Sequence, residues 1–173
     1  MSFHFIFAPV NVQEFSREIN RVFFFLYNLE AEYHGFCKWY WNKVVPAILE
    51  GSKEIIIAEY KKKVIGVAII KNDSNEKKIC TLRVCDGCRS QGIGRKLMEL
   101  AFARLNTQKP FITVSSLRIE QFKRIFDYYG FEQSAYCRNY YGSGKAELCF
   151  NGFLPGTIYL QRYETGLLQR EDA

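Results

Sequence analysis

The spacing of apolar residues along the chain predicts four helices. Val12 to Leu29 and Phe36 to Ile48 each place apolar side chains three and four positions apart, as one buried helix face requires. Pro46 is expected to kink the second helix, because proline lacks the N–H that the helix ladder needs. The third helix has its apolar face on Leu97, Leu100, Ala101 and Leu105. The fourth helix spans Leu117 to Tyr129 and stops at Gly130.

Runs rich in β-branched residues predict the strands. Glu54 to Tyr60 and Val64 to Lys71 form an antiparallel hairpin, and Ile79 to Cys85 follows as the next strand. The other strands are Phe3 to Ala8, Phe111 to Ser115, Phe131 to Asn139 and Ala146 to Phe150. This order, β-α-α-β-β-β-α-β-α-β-β, predicts one α/β (α+β) domain over residues 1–150. Residues 151–173 are expected to form a C-terminal extension that packs on the domain or trails from it.

Composition fits one soluble domain. The chain has 173 residues, of which 48% are hydrophobic and 24% charged, which excludes a disordered or low-complexity protein. The longest apolar runs, such as Val64 to Ile70, fall far short of the ~20 residues of a membrane helix, so no membrane span is predicted. The first ten residues lack the features of a secretory signal. We therefore predict a cytoplasmic protein whose six cysteines are reduced thiols: Cys37, Cys80, Cys85, Cys88, Cys137 and Cys149.

The net charge of +6 is distributed in a way that favours a small anionic ligand. The three lysines at positions 61–63 fall at the hairpin turn, where a solvated tip explains them. Arg89, Arg95 and Lys96 instead surround a glycine turn. Because the sequence shows no continuous basic stripe, it does not favour a nucleic-acid surface.

The glycine turn carries the clearest functional signal. Gly92 and Gly94 stand where a strand runs into a helix, and the first amides of a helix have no partners within it. Small residues let a ligand approach these amides, so the turn predicts a ligand that carries phosphates. A dinucleotide-binding fingerprint is excluded because Leu97 occupies its third glycine position, and no Walker sequence is present.

The turn reads Arg-x-x-Gly-x-Gly over residues 89–94 and resembles that of the GNAT superfamily of acyl-CoA N-acyltransferases. Gly130-Phe131, where the family has a Gly-Phe pair, and the element order extend the resemblance over residues 3–150. It implies the GNAT fold, a mixed, mostly antiparallel central sheet of six to seven strands with about four helices. It also implies an enzyme that transfers an acetyl group from acetyl-CoA, without a metal, to a primary amine of a small molecule or peptide. A homodimer is compatible with this resemblance.

The resemblance also implies the residues of the cofactor site. The strand segment Leu82, Arg83 and Val84 would pair through its backbone with the pantetheine arm. The pyrophosphate would lie against the turn formed by Arg89, Ser90, Gln91, Gly92, Ile93, Gly94, Arg95 and Lys96.

The candidate catalytic residues replace two side chains that are usual in the family and absent from this sequence. Phe126 occupies the position of the family's usual tyrosine acid, and Tyr129, on nearly the same helix face, is our candidate for that role. The alternative for Tyr129 is a core aromatic. The third strand carries no glutamate, so His34 and Glu32 are the candidates for the base. Glu59 and Glu120 are further replacements, and an ordinary surface histidine is the alternative for His34.

Aromatic residues predict the acceptor pocket. Tyr33 and Phe36 lie between the first two helices, and Tyr140 and Tyr141 follow the strand that begins at Phe131. The alternative for the two later tyrosines is packing on a sheet face.

Three other interpretations stay open. Cys85 and Cys88, with His34 and Cys37, could be drawn as a zinc site, although only one C-x-x-C is present. The domain could bind acyl-CoA without catalysis. A toxin-type enzyme acting on aminoacyl-tRNA is the one nucleic-acid partner that the sequence leaves open.

Overall fold

A computed structural model describes residues 1–6, 11–141, 144–159, 161–162 and 168–169, with the backbone alone from residue 159 onward. The predicted Ala8 end of the first strand lies outside these residues. The chain divides into two compact units, Met1–Thr107 and Gln108–Ala173.

The first unit is built on four antiparallel strands. In order, they are β1 (Ser2–Ile6), β2 (Lys53–Tyr60), β3 (Lys63–Asn72) and β4 (Lys77–Val84). The predicted hairpin is confirmed. Its turn is Lys61-Lys62, and both lysines adopt the left-handed backbone, with φ of +48° and +62°. A two-residue hairpin turn needs this conformation to match the twist of its strands.

Both faces of this sheet are covered, which explains the unbroken apolar runs of β2 and β3. On one face, the core joins Ile55 and Ile57 of β2 to Ile19 and Val22 of α1 (Val12–Leu26). On the other face lies α4 (Ile93–Leu105). Gly66 of β3 lets this helix approach closely, since a Cβ at that position would lie 3.0 Å from side-chain atoms of Ile93 and Leu97.

The predicted second helix is three helical segments. These are α2 (Phe36–Trp39), a π-helical turn (Tyr40–Val44) and α3 (Val45–Leu49). Pro46 lies in the first turn of α3, where its missing N–H is tolerated, so the predicted kink takes the form of a wide turn just before it. Tyr40 within that turn is fully buried, and its hydroxyl donates to the Ile19 carbonyl at 2.9 Å. Burial raises the pKa of Tyr40.

The second unit also has antiparallel pairing. Strand β7 (Ala146–Phe150) pairs with β5 (Phe111–Ser115) and with β6 (Gln133–Arg138), and β6 pairs with the short β8 (Ile158–Tyr159). The last two short strands, β9 (Gln161–Arg162) and β10 (Leu168–Gln169), pair with each other.

Helix α5 (Ile119–Tyr129) belongs to this second unit. As predicted, it ends at Gly130, whose φ is +62°. The Phe126 ring stacks on Phe131 at 5.0 Å and lies 4.5 Å from the Phe150 ring. These aromatic contacts pack α5 against the sheet of this unit.

None of the helices in the described ranges is long and apolar enough to cross a membrane. The longest of them, α1, has 15 residues.

Candidate functional site

The turn between β4 and α4 is built by two left-handed residues. The Cys85 N–H donates to the Ile65 carbonyl at 2.9 Å, which fixes the start of the turn to β3. A short 3₁₀ helix follows at Asp86–Cys88. Ser90 and Gly92 then reverse the chain, with φ of +61° and +79°. The left-handed conformation has a higher free energy for a residue with a Cβ than for glycine. The reversal at Gly92 lets α4 begin directly after that residue.

The N-terminus of α4 presents its amides to an open space. The first intrahelical hydrogen bond runs from the Lys96 N–H to the Gly92 carbonyl at 2.9 Å, so the amides of Ile93 and Gly94 precede the ladder. The Gly92 cap has no side chain to accept from them. A Cβ on Gly92 would meet nothing within 4 Å, and one on Gly94 would meet only Val84 Cγ2, at 3.6 Å. Unpartnered amides and the positive end of a helix dipole favour an anion at this position.

The basic side chains around the turn are paired with carboxylates. Arg89 Nη2 lies 2.6 Å from Asp86 Oδ1, Arg95 Nε 3.2 Å from Glu99 Oε1, and Lys96 Nζ 3.4 Å from Glu99 Oε2. All three are solvent-exposed pairs, which contribute little energy and are screened by salt. The backbone amides are therefore the main source of positive potential at the turn, and the basic side chains are a secondary one.

Strand β4 carries a β-bulge near the turn. Thr81 pairs with Ile69 and Ile79 pairs with Ile70, so Cys80 is an extra residue relative to β3. Beyond the bulge, Leu82, Arg83 and Val84 pair regularly with Ala68, Val67 and Gly66. A bulge re-aims the backbone of the strand that contains it, here two residues before Leu82.

Cys85 and Cys88 are joined by a disulfide, so the prediction that all six cysteines are free thiols is wrong for this pair. Their Cα atoms are 5.3 Å apart because the 3₁₀ helix folds the chain back on itself. Cys37, Cys80, Cys137 and Cys149 are free thiols. The zinc site drawn from Cys85 and Cys88 would need their thiolates, which the disulfide removes. The described residues contain no group of three or more ligands suited to a metal.

The candidate bases lie at a second turn of the first unit, which Glu30 organises. Its carboxylate accepts from the backbone N–H of Gly35 at 2.8 Å and of Cys37 at 2.6 Å. These two bonds, that of Cys37 foremost, hold the pKa of Glu30 below its usual value. Glu32 and the exposed His34 lie in the chain between Glu30 and the start of α2. Glu30 therefore fixes the segment that carries both predicted bases, a role the sequence analysis missed.

The two predicted pocket residues of this region differ in exposure. Tyr33 is half-buried and its N–H donates to the Leu29 carbonyl at 2.8 Å, whereas Phe36 is 6% exposed and belongs to the core. The further candidate Glu59 forms an ion pair with Arg21. Glu59 is thereby tied to α1.

The remaining predicted site residues belong to the second unit. Tyr129 is the last residue of α5 and is half-buried, with its ring 4.9 Å from that of Tyr128. Tyr140 is 40% exposed and its ring lies 4.9 Å from that of Tyr141, in the turn that follows β6. Glu120 is exposed in the first turn of α5. Tyr129 and Tyr140 are thus both accessible to solvent in part.

Glu147 is a buried carboxylate that the sequence analysis missed. It is 2% exposed in β7, directly opposite Ser115 of β5 and Cys137 of β6. The signal in the sequence is a single acidic residue inside the apolar strand Ala146–Phe150. Buried carboxylates are rare and concentrate at functional sites.

Comparison with known proteins identifies the family to which this fold belongs. Residues 7–142 match the family model of the acetyltransferase (GNAT) domain. Because this match covers well over half of the sequence, the chain belongs to the GNAT acetyltransferase family. No curated protein matches it significantly.

Solved structures share the fold at low sequence identity. A GNAT-family acetyltransferase from Bacillus cereus is 18% identical with a TM-score of 0.59, and 87% of this chain and 96% of that chain are covered. One from Elizabethkingia anophelis, with acetyl-CoA bound, is 16% identical with a TM-score of 0.58, at 86% and 95% coverage. A chimera of the spermidine N-acetyltransferase SpeG from Vibrio cholerae is 12% identical with a TM-score of 0.54, at 87% and 95% coverage. The predicted GNAT superfamily and mixed, mostly antiparallel fold are thus confirmed.

Proposed function

We propose that the protein transfers the acetyl group of acetyl-CoA to a primary amine of a small molecule or peptide. The observation that carries this proposal is the uncapped, glycine-flanked start of α4, which a short turn connects to the bulged strand β4. The family and the acetyl-CoA bound to the Elizabethkingia relative support the choice of cosubstrate. The catalytic domain would span residues 1–150 and act in the cytoplasm.

The cofactor would bind mainly through backbone. The backbone amides from Gln91 to Arg95 would bind the pyrophosphate. Arg89 and Lys96 would also contact it, which would weaken their ion pairs with Asp86 and Glu99. The segment Leu82–Val84 would pair with the pantetheine arm. The bulge at Cys80 supports this arrangement, since an amide near Leu82 could then donate to the thioester oxygen as negative charge develops.

The reaction would be direct attack of the amine on the thioester carbonyl. The nitrogen forms the new bond to the acetyl carbon and loses a proton, and the carbon–sulfur bond breaks to release CoA. An ammonium ion has no lone pair, so His34 or Glu32, directly or through water, would accept the proton. Tyr129 would protonate the departing thiolate. Tyr33, Tyr140 and Tyr141 would contact the acceptor, whereas Phe36 would support Tyr33 from the core.

Acetyl-CoA titration followed by a CoA-release assay tests this function. Isothermal titration of the purified protein should show one acetyl-CoA site per chain. Thiol-reagent detection of free CoA should then show release with at least one of polyamines, aminoglycosides, amino acids, peptides or aminoacyl-tRNA. Binding without release from the whole panel would favour an acyl-CoA-binding module, and release with aminoacyl-tRNA alone would favour a toxin-type enzyme. Absence of binding would refute the proposal.

The acid role of Tyr129 has a matched control in Tyr128, the neighbouring tyrosine of α5, which is 61% exposed. Tyr129→Phe should lower kcat by about 100-fold, the usual size of a general-acid contribution, while acetyl-CoA affinity is unchanged. Tyr128→Phe should leave both values within twofold of the wild type. Equal rates for the two variants would assign Tyr129 to packing.

A further inference from the structure

The Cys85–Cys88 disulfide closes a very short loop beside the candidate cofactor turn. Only Asp86 and Gly87 lie between the two cysteines, and both are exposed. The stabilisation that a disulfide gives the whole fold grows with the length of the loop it closes. A bond across two residues therefore constrains the local turn far more than it stabilises the fold.

One end of this disulfide is fixed and the other leads into the turn. Cys85 directly follows β4, and its N–H bonds the Ile65 carbonyl of β3 at 2.9 Å. Cys88 immediately precedes Arg89, the first residue of the glycine motif. The disulfide therefore ties the start of the phosphate-binding turn to the sheet of the same unit.

Three further contacts depend on this short loop. The N–H of Cys88 donates to the Cys85 carbonyl at 2.9 Å, the N–H of Arg89 donates to the Asp86 carbonyl at 3.4 Å, and the Gln91 side-chain amide donates to the Gly87 carbonyl at 3.3 Å. Residues 89 and 91 are thus held by groups that lie inside the disulfide loop. Ser90 between them adopts a left-handed backbone, which these neighbouring contacts help to maintain.

We propose that Cys85 and Cys88 form a thiol–disulfide exchange site whose oxidised state holds the turn from Arg89 to Gly94 in its anion-binding conformation. Its substrates are small thiols, dithiols and disulfides, which can reach the pair because Cys85 and Cys88 are both partly exposed. The effect on the ligand rests on the proposed acetyl-CoA site. Disulfides inside reducing compartments are commonly catalytic or redox-sensing, which fits the proposed cytoplasmic location.

When a dithiol is the reductant, the exchange conserves bonds, electrons and protons. One thiolate of the dithiol attacks a sulfur of the pair, the Cys85–Cys88 bond breaks and a mixed disulfide forms. The second thiol of the reductant then displaces the remaining cysteine. Two electrons and two protons pass to Cys85 and Cys88, which become thiols, and the dithiol becomes a cyclic disulfide. The reverse reaction uses an oxidised small disulfide.

The other cysteines differ from this pair in their surroundings. Burial is the main factor that raises the pKa of both Cys80 and Cys37, and the neighbouring Glu30 carboxylate adds to the effect at Cys37. Their thiols are therefore poor nucleophiles at neutral pH. Cys37→Ser is a suitable control, because Cys37 lies outside the turn and is partly exposed.

The experiment compares the full-length protein after treatment with dithiothreitol, followed by desalting under nitrogen, with the protein oxidised by glutathione disulfide. Alkylation and mass spectrometry should show two additional modified cysteines, 85 and 88, in the reduced form only. Reduction should accelerate hydrogen exchange in the peptide that covers residues 86–95. It should also weaken acetyl-CoA binding about fivefold, as expected if the turn is competent about a fifth of the time.

Two variants make the result specific. The double variant Cys85→Ser/Cys88→Ser should bind like the reduced wild type and show no redox response, and Cys37→Ser should retain the full response. Equal hydrogen exchange in the two wild-type forms, or alkylation of 85 and 88 in both, would overturn the exchange site. If neither form binds acetyl-CoA, the proposed function fails, and hydrogen exchange alone then decides the proposal about the turn.

Discussion

Replacing Gly94 is expected to weaken acetyl-CoA binding without weakening the fold. The residue lies in the first turn of α4, and its Cβ would make one ordinary contact, 3.6 Å from Val84 Cγ2. Alanine is favoured over glycine inside helices by up to about 1 kcal/mol, and for a chain of this length 1 kcal/mol corresponds to about 2–4 °C in Tm. Gly94→Ala should therefore melt at or slightly above the wild-type temperature.

The same Cβ points into the space between the start of α4 and the end of β4, where the cofactor is proposed to pass. We expect Gly94→Ala to lose at least tenfold in acetyl-CoA affinity, or about 1.4 kcal/mol. Gly94→Asp adds a negative charge as well. Two like unit charges about 5 Å apart repel by about 3 kcal/mol at an effective dielectric constant of about 20, which corresponds to a loss of 100-fold or more.

Isothermal titration with acetyl-CoA and a thermal melt of each variant measure the two effects separately. Gly87→Ala is the matched control, because Gly87 lies in the same loop and a Cβ there would meet nothing within 4 Å. It should change neither Tm nor affinity. Wild-type affinity in Gly94→Asp would refute the assignment of this turn to the cofactor. A parallel fall in Tm and affinity would instead mean that the substitution damages the fold.

Three further predictions concern the first unit. Gly66→Ala should lower the free energy of unfolding by about 1–3 kcal/mol in a denaturant titration, because the added methyl would lie 3.0 Å from α4 side chains; wild-type stability would show that the helix can move away. Tyr40→Phe should cost about 1 kcal/mol in the same assay through loss of the bond to the Ile19 carbonyl, and no change would mean that this bond is energetically neutral. Glu30 has a lowered pKa in the folded state, so its contribution to stability is present above its unfolded pKa and is lost as the pH falls through the folded value. Melts of wild type and Glu30→Gln should therefore differ at pH 6 and converge at low pH, whereas a constant difference would exclude this titration.

The parts of the fold that depend on local turn and cap residues were predictable from the sequence. The lysine hairpin and the glycine stop of α5 follow from local rules of turn and cap chemistry, and both are present. The second helix differed because its apolar spacing is the same for a straight helix and for one interrupted by a π-helical turn. Only packing of the Tyr40 side chain and the position of Pro46 select the second form.

The candidate site was predictable in its backbone and less so in its side chains. Gly92 and Gly94 indicated the position of the turn that is proposed to bind phosphate, because few local structures require glycine at that spacing before a helix. The pairing of Arg89 with Asp86, and the capping of α2 by Glu30, depend on how the chain folds back, which residue spacing does not reveal. The C-x-x-C spacing is shared by free thiols, zinc ligands and disulfides, so only the folded geometry distinguished them.

Trypsin cleavage at the lysine hairpin tip is expected to depend on local unfolding of the hairpin. Three consecutive lysines, all exposed, would normally be the preferred cleavage site of trypsin. A protease must draw several residues into an extended conformation, yet Lys61 and Lys62 are held in a tight left-handed turn between two long paired strands. Arg21 also donates to the Lys62 carbonyl at 2.9 Å. The native tip is therefore expected to resist trypsin, and the rate of its cleavage would measure how often β2 and β3 separate.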